Sequence, residues 1–142
     1  MSKTYIPTAL RVLVRDRANN ACEYCLIPEI AVLSSLEVDH IIAEKHGGKT
    51  IEGNLALACS ICNKHKGSDL ASIDPKNGEI VRLYHPRQDF WNKHFQLLKS
   101  GEIKPLSPIG RVTAKLLNMN QANRIDERQL LNQADVLRIP GN

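Results

Sequence analysis

The sequence predicts an α+β chain in which a strand–loop–strand–helix unit is braced by paired cysteines and flanked by helices. Three observations carry this reading. Residues 36–42 alternate apolar and polar side chains as a half-buried strand does. Residues 54–58 form a second short apolar run after a polar loop holding Gly47, Gly48 and Gly53. Cys22-x-x-Cys25 and Cys59-x-x-Cys62 bracket the unit, and two such pairs in one small chain are a strong metal-site spacing.

Taken in order, Pro7 in a first turn and Asn19-Asn20 as a stop favour a helix over residues 7–19. Leu10, Val12 and Val14 also alternate as a strand would. The Cys22–Cys25 turn follows, then a loop around Pro28, a short apolar run at 30–33 and the first strand. Residues 43–53 make a wide polar loop. After the second strand, Ser60 can cap a helix over 61–66 that Gly67 stops. Asp74-Pro-x-Asn-Gly78 signals a turn, and 79–84 reads as a strand. Residues 89–99 look helical, with Phe90, Trp91, His94 and Phe95 or Leu98 at helical spacing, ended by Gly101. Trp91 and Phe95 are expected in the core. Ser107-Pro108 opens a helix to about 117, and 120–134 makes a last one. Without repeats or linkers, residues 1–142 read as a single domain, with the cysteine knuckles and strand–helix unit at 20–70 and an extension at 79–136.

Composition narrows the function. With two Phe, three Tyr and one Trp, the core must be mostly aliphatic. A net charge of +4 favours a polyanionic partner. No stretch approaches the ~18 apolar residues of a membrane span. The opening MSKTYIPTALRVLVRDR turns charged too early for a secretion signal, so the expected location is cytoplasmic. There thiols stay reduced and paired cysteines bind metal more often than they form disulfides. Four thiolates suit tetrahedral zinc, and a site filled by sulfur has no open position for catalysis. A redox dithiol would need only one of the pairs, and four small buried apolar side chains are the blandest alternative.

The order Asp39-His40, Gly47-Gly48, Asn54-Leu55, Cys59-x-x-Cys62-Asn63-x-x-Lys66-Gly67 resembles the HNH (ββα-metal) endonuclease motif, in its variant with asparagine as third member. The tail is similar to that of a group of bacterial HNH proteins through Leu83-Tyr84-x-Pro86-Arg87, Trp91, His94-Phe95, Gly110-Arg111-x-Thr113 and Met119-Asn120. The resemblance implies a ββα-metal finger braced by a structural zinc on the four cysteines. Asp39 and Asn63 offer a carboxylate and an amide oxygen, ligand types preferred by a catalytic Mg²⁺ or Mn²⁺. By resemblance His40 is the general base, and Asn54 bonds within the loop and helps to orient it. Gly47 and Gly48 would permit positive φ or close approach to DNA. Lys66, by resemblance, would contact a phosphate. His46 is a further candidate for nucleic-acid contact, although for both His46 and His65 a solvated or structural role is favoured, because the motif supplies its base and ligands without them. Lys45, Lys49 and Lys64 can add to a basic rim. Arg87 could reach a phosphate, while Arg111, Lys115, Arg124 and Arg128 read as a basic face or as solubility alone.

The expected activity is metal-dependent hydrolysis of DNA phosphodiester bonds by a one-metal mechanism with a histidine base. Two alternatives stay open: a zinc-containing nucleic-acid-binding module without catalysis, and a nicking or structure-selective nuclease. One such centre cuts one strand, so a double-strand break would need a homodimer or two encounters.

Overall fold

A computed structural model of the protein describes residues 5–140. Helix α1 (Thr8–Arg17) begins after Pro7 and carries Arg15 and Arg17 in its last turn, where cations oppose the helix dipole. Both arginines also tie it to the motif. Arg15 donates to Glu29 and to the Leu36 carbonyl, and Arg17 donates to the carbonyls of Glu52 and Leu55. Strand β1 (Glu37–His40) pairs antiparallel with β2 (Leu55–Ala58), with Glu37 opposite Ala58 and His40 opposite Leu55. All four β2 residues are buried, because α1 packs against this ribbon and the cysteine knuckles cover it further along.

Helix α2 (Ser60–Lys66) returns against β1 and completes the expected strand–strand–helix order. Its cap differs from expectation. Cys59, not Ser60, is the N-cap residue, and its sulfur accepts from the Cys62 N–H. A thiolate can do this work of a hydroxyl while it also serves the cysteine cluster.

Beyond the motif, β3 (Ala71–Ile73) and β4 (Ile80–Arg82) form a hairpin. Residues 89–99 do not form the predicted helix. A single helical turn, α3 (Trp91–His94), gives way to β5 (Phe95–Leu97), which pairs with β6 (Ile103–Pro105). The reason lies in packing: Ile103 is fully buried and its backbone is held at both ends by the Asn120 amide. Trp91 and Phe95 still reach the core, with ring centroids 5.2 Å apart, and the Trp91 indole donates to the Tyr24 carbonyl. Tyr84 packs edge-on against both Tyr24 and Phe95. Most of the few aromatics thus sit in one cluster, and the aliphatic side chains of Val14, Leu26, Leu36, Leu55, Leu57 and Leu117 fill the rest. Losing either large ring would cost about 3–5 kcal/mol.

Helix α4 (Pro108–Leu116) is capped as expected by Ser107, whose Oγ accepts from the Gly110 N–H. It packs on β3, β4 and β6. Helix α5 (Ala122–Gln133) is the last helix of the described residues. Of the two readings left open for the basic residues of these helices, one exposed basic face is not what they form. Arg124 and Arg128 are buried, Arg111 pairs with the buried Asp74, and only Lys115 stays exposed. Among the described residues, no helix is long and apolar enough to cross a membrane.

Candidate functional site

The four cysteines converge. Their sulfurs all lie within 4.8 Å of one another, buried and free of disulfides. Each pair forms a knuckle in which the second N–H donates to the first sulfur, Cys25 to Cys22 and Cys62 to Cys59. Cys25 Sγ and Cys59 Sγ stand 3.6 Å apart. Sulfurs bound at 2.3 Å on the corners of a tetrahedron are about 3.8 Å apart, so the spacing suits a shared ion and is far too long for a disulfide. Burial pushes the Cys22 and Cys62 thiols well up, whereas hydrogen bonds among the sulfurs, that from Cys22 foremost, hold Cys25 well down. A buried set of this kind can carry four thiolates only around a cation. The donors fit a structural metal such as zinc.

The loop from Ile42 to Asn54 is clamped by one side chain. Asn54 accepts from the Ile42 N–H at 2.9 Å and donates to the carbonyls of Ile42 and Lys49, each at 2.9 Å. Inside it, Gly47 takes φ +90°, open to glycine at little cost. At Gly48 a Cβ would fall 1.7 Å from the Ile42 oxygen and 2.9 Å from Asn54 Nδ2. The close approach foreseen at Gly48 is therefore to the loop's own clamp.

Asp39 and His40 are adjacent on β1 and so face opposite sides of it. Asp39 is half-buried. His40 is only 3% exposed, its Nε2 lies 2.8 Å from Thr50 Oγ1, and its Nδ1 is buried with no hydrogen-bond partner among the described residues. From α2, Asn63 Nδ2 donates to the Glu37 carboxylate at 2.8 Å. Glu37 and Asp39 share a strand face, so this bond holds Asn63 against the side of β1 that carries Asp39.

Other expected contacts are turned inward. Lys66 is 4% exposed and its ammonium donates to the Ile41 carbonyl at 2.8 Å, while burial lowers its pKa. It braces the end of β1, and a reach to phosphate is not what this placement offers. Arg87 pairs with the buried Glu23, whose other oxygen accepts from the Leu57 N–H. His46 is exposed and its Nε2 meets the Ser68 carbonyl at 3.1 Å, tying the loop to the end of α2. His65 is exposed.

Two partners escaped the sequence reading. Glu37 was open to discovery, since period-two spacing puts it beside Asp39. Thr50, ten residues from His40 around a loop, carried no such signal.

Residues 22–69, from the first knuckle past the second, match the family model described as HNH endonuclease. This stretch is an HNH domain. The chain is also similar to the Septu protein PtuA of Bacillus mycoides (strain KBAB4), at 29% identity over 90 residues. That match covers 56% of this chain and 13% of the relative, so the chain spans only a small part of that protein's length. No solved structure matches the chain. The HNH match takes in all four cysteines together with Asp39, His40, Asn54 and Asn63, and it ends before β3.

Proposed function

We propose that this HNH domain is a metal-dependent endonuclease that hydrolyses phosphodiester bonds in DNA, with His40 as its general base. The observation that carries the reading is the Nδ1 of His40: buried, without a partner, on a ring whose other nitrogen is tied to Thr50. Buried polar atoms in folded proteins are nearly always satisfied, so an orphan imidazole nitrogen on a motif histidine suits a base awaiting its water. With Nε2–H donated to Thr50, Nδ1 bears the free lone pair. It takes the proton of the water whose oxygen bonds to phosphorus, the P–O3′ bond opens, and the departing 3′-oxygen takes a proton from solvent water, leaving a 5′-phosphate and a 3′-hydroxyl. Asn54 keeps the loop that carries Thr50 closed over β1.

Asp39 and Asn63 would hold the divalent ion, Mg²⁺ or Mn²⁺. The amide hydrogen of Asn63 is taken by Glu37, which leaves its oxygen as the free donor, and the carboxylate of Asp39 supplies the second hard ligand. Such an ion would stabilise charge on the phosphodiester and on the departing oxygen. The cysteine centre, read as zinc, braces and does not react. Any double-strand break would require two such domains or two encounters.

A plasmid-nicking assay with Mg²⁺, Mn²⁺ or EDTA tests this, with wild type and His40→Ala side by side. Nicking that needs a divalent ion and vanishes in His40→Ala is expected. Equal activity in both would remove His40 from the mechanism. No activity in either, with salt-sensitive DNA binding retained, would leave a binding module.

A further inference from the structure

Helix α5 touches the sulfur centre through one side chain. Arg124 is 5% exposed. Its Nη1 donates to the carbonyls of Leu117 and Asn118, at 2.8 and 3.0 Å. Its Nη2 lies 3.2 Å from Cys62 Sγ and 3.8 Å from Cys59 Sγ. A buried guanidinium stays charged and is unfavourable without a counter-charge. The hydrogen-bond partners of Arg124 are two carbonyls and two sulfurs, with no carboxylate among them. Four thiolates around a divalent ion leave the centre with two excess negative charges. The cation and the anionic centre, each costly to bury alone, meet at the knuckle that also begins α2.

We propose that Arg124 is the charge-compensating outer partner of the cysteine metal centre, so that retention of the metal and docking of α5 are coupled. The inference rests on reading the four cysteines as a metal centre and is independent of the nuclease activity. Donation to bound sulfur lowers the charge density on the thiolates of Cys59 and Cys62 and slows their protonation and release from the ion. Groups that support the ligands of a metal from outside typically change affinity by about 10–100-fold when removed. The coupling is reciprocal: what α5 gives the metal, the metal returns to α5.

Arg128 supplies the control. It is 1% exposed and one turn further along α5, but it donates to the carbonyls of Gly101 and Met119 and to Asn120, and it meets the Cys25 and Cys62 sulfurs through charge alone, with no hydrogen bond to them. Loss of Arg128 should loosen the fold and remove a nearby positive charge, but no hydrogen bond to a ligand sulfur.

The experiment measures release of bound metal to a chromogenic chelator from full-length wild type, Arg124→Gln and Arg128→Gln, after metal content has been set by elemental analysis. Wild type is expected to hold one ion, Arg124→Gln to release it about tenfold faster, and Arg128→Gln to show a clearly smaller acceleration while melting lower. Wild-type release from Arg124→Gln, or equal acceleration in both variants, would overturn the inference. A metal-free wild type would instead remove the metal centre on which it rests. Should Arg124→Gln fail to fold, Arg124→Lys decides. Lysine keeps the positive charge, so release near the wild-type rate is expected, and release about tenfold faster would overturn charge compensation as the role of Arg124.

Discussion

Asn63 on α2 donates its amide hydrogen to Glu37 on β1 across 2.8 Å. A carboxylate can only accept, so this bond fixes which end of the amide faces the strand. The oxygen of Asn63 is thereby left without this partner. The link joins an exposed acid to a buried amide.

If that orientation supports ion binding, Glu37→Ala should weaken activation by Mn²⁺ by about 10–100-fold, as loss of such supporting partners does elsewhere. Glu37 is exposed, so the melting temperature should move little. The measurement is nicking rate against Mn²⁺ concentration. An unaltered activation curve would leave Glu37 a surface acid only.

The Asp74–Arg111 pair ties β3 to α4 and should be visible in acid. Arg111 donates to both carboxylate oxygens, at 2.9 and 2.8 Å, and the Lys76 N–H adds a third bond. The Arg111 hydrogen bonds, foremost, hold the Asp74 carboxyl down to about 2. Because the folded value lies below the unfolded one, the pair contributes its full stability above about pH 4 and loses it as pH falls towards 2. Melting temperature should therefore drop through that window in wild type. Asp74→Asn should melt lower at neutral pH and show a shallower acid limb; parallel limbs would refute the assignment.

How much of this could be read from the chain depends on distance along it. The knuckle spacing, the strand–strand–helix order and the Ser107 cap are short-range patterns, each written within a few residues. The helix expected at 89–99 failed because Trp91, His94 and Phe95 have a spacing that a single helical turn followed by a strand also satisfies. Pairing with Ile103 decided between them. Arg124 and Arg128 looked like solvent-facing charge because composition says nothing of partners. Their acceptors are carbonyls and sulfurs, and the sulfurs of Arg124 lie more than sixty residues away. Lys66 turned inward for a similar reason, its acceptor being a backbone oxygen that no motif displays.

The loop clamp gives a prediction about stability. Asn54→Ala removes three hydrogen bonds and strands backbone groups of Ile42 and Lys49. A destabilisation of about 1–3 kcal/mol is expected. Gly48→Ala should do comparable damage by a different route, since its Cβ has no room beside the Ile42 oxygen. Urea unfolding of both variants measures this. A wild-type midpoint in either would show that the loop closes without that residue.

Thr50 should matter to rate beyond any cost to folding. Its hydroxyl lies 2.8 Å from His40 Nε2 and is the ring's one hydrogen-bond partner among the described residues. Thr50→Val keeps the shape of the side chain and removes that partner, so the imidazole loses both its orientation and its preferred tautomer. The kcat for DNA nicking should fall by about tenfold or more, within the range a positioned base contributes. KM should change little, because the Thr50 hydroxyl is engaged with His40. Thr50→Ser restores a hydroxyl and should recover most of the rate. A rate loss that serine does not rescue, or one that appears wholly in KM, would assign Thr50 to packing of the loop and leave the orientation of His40 to β1 alone.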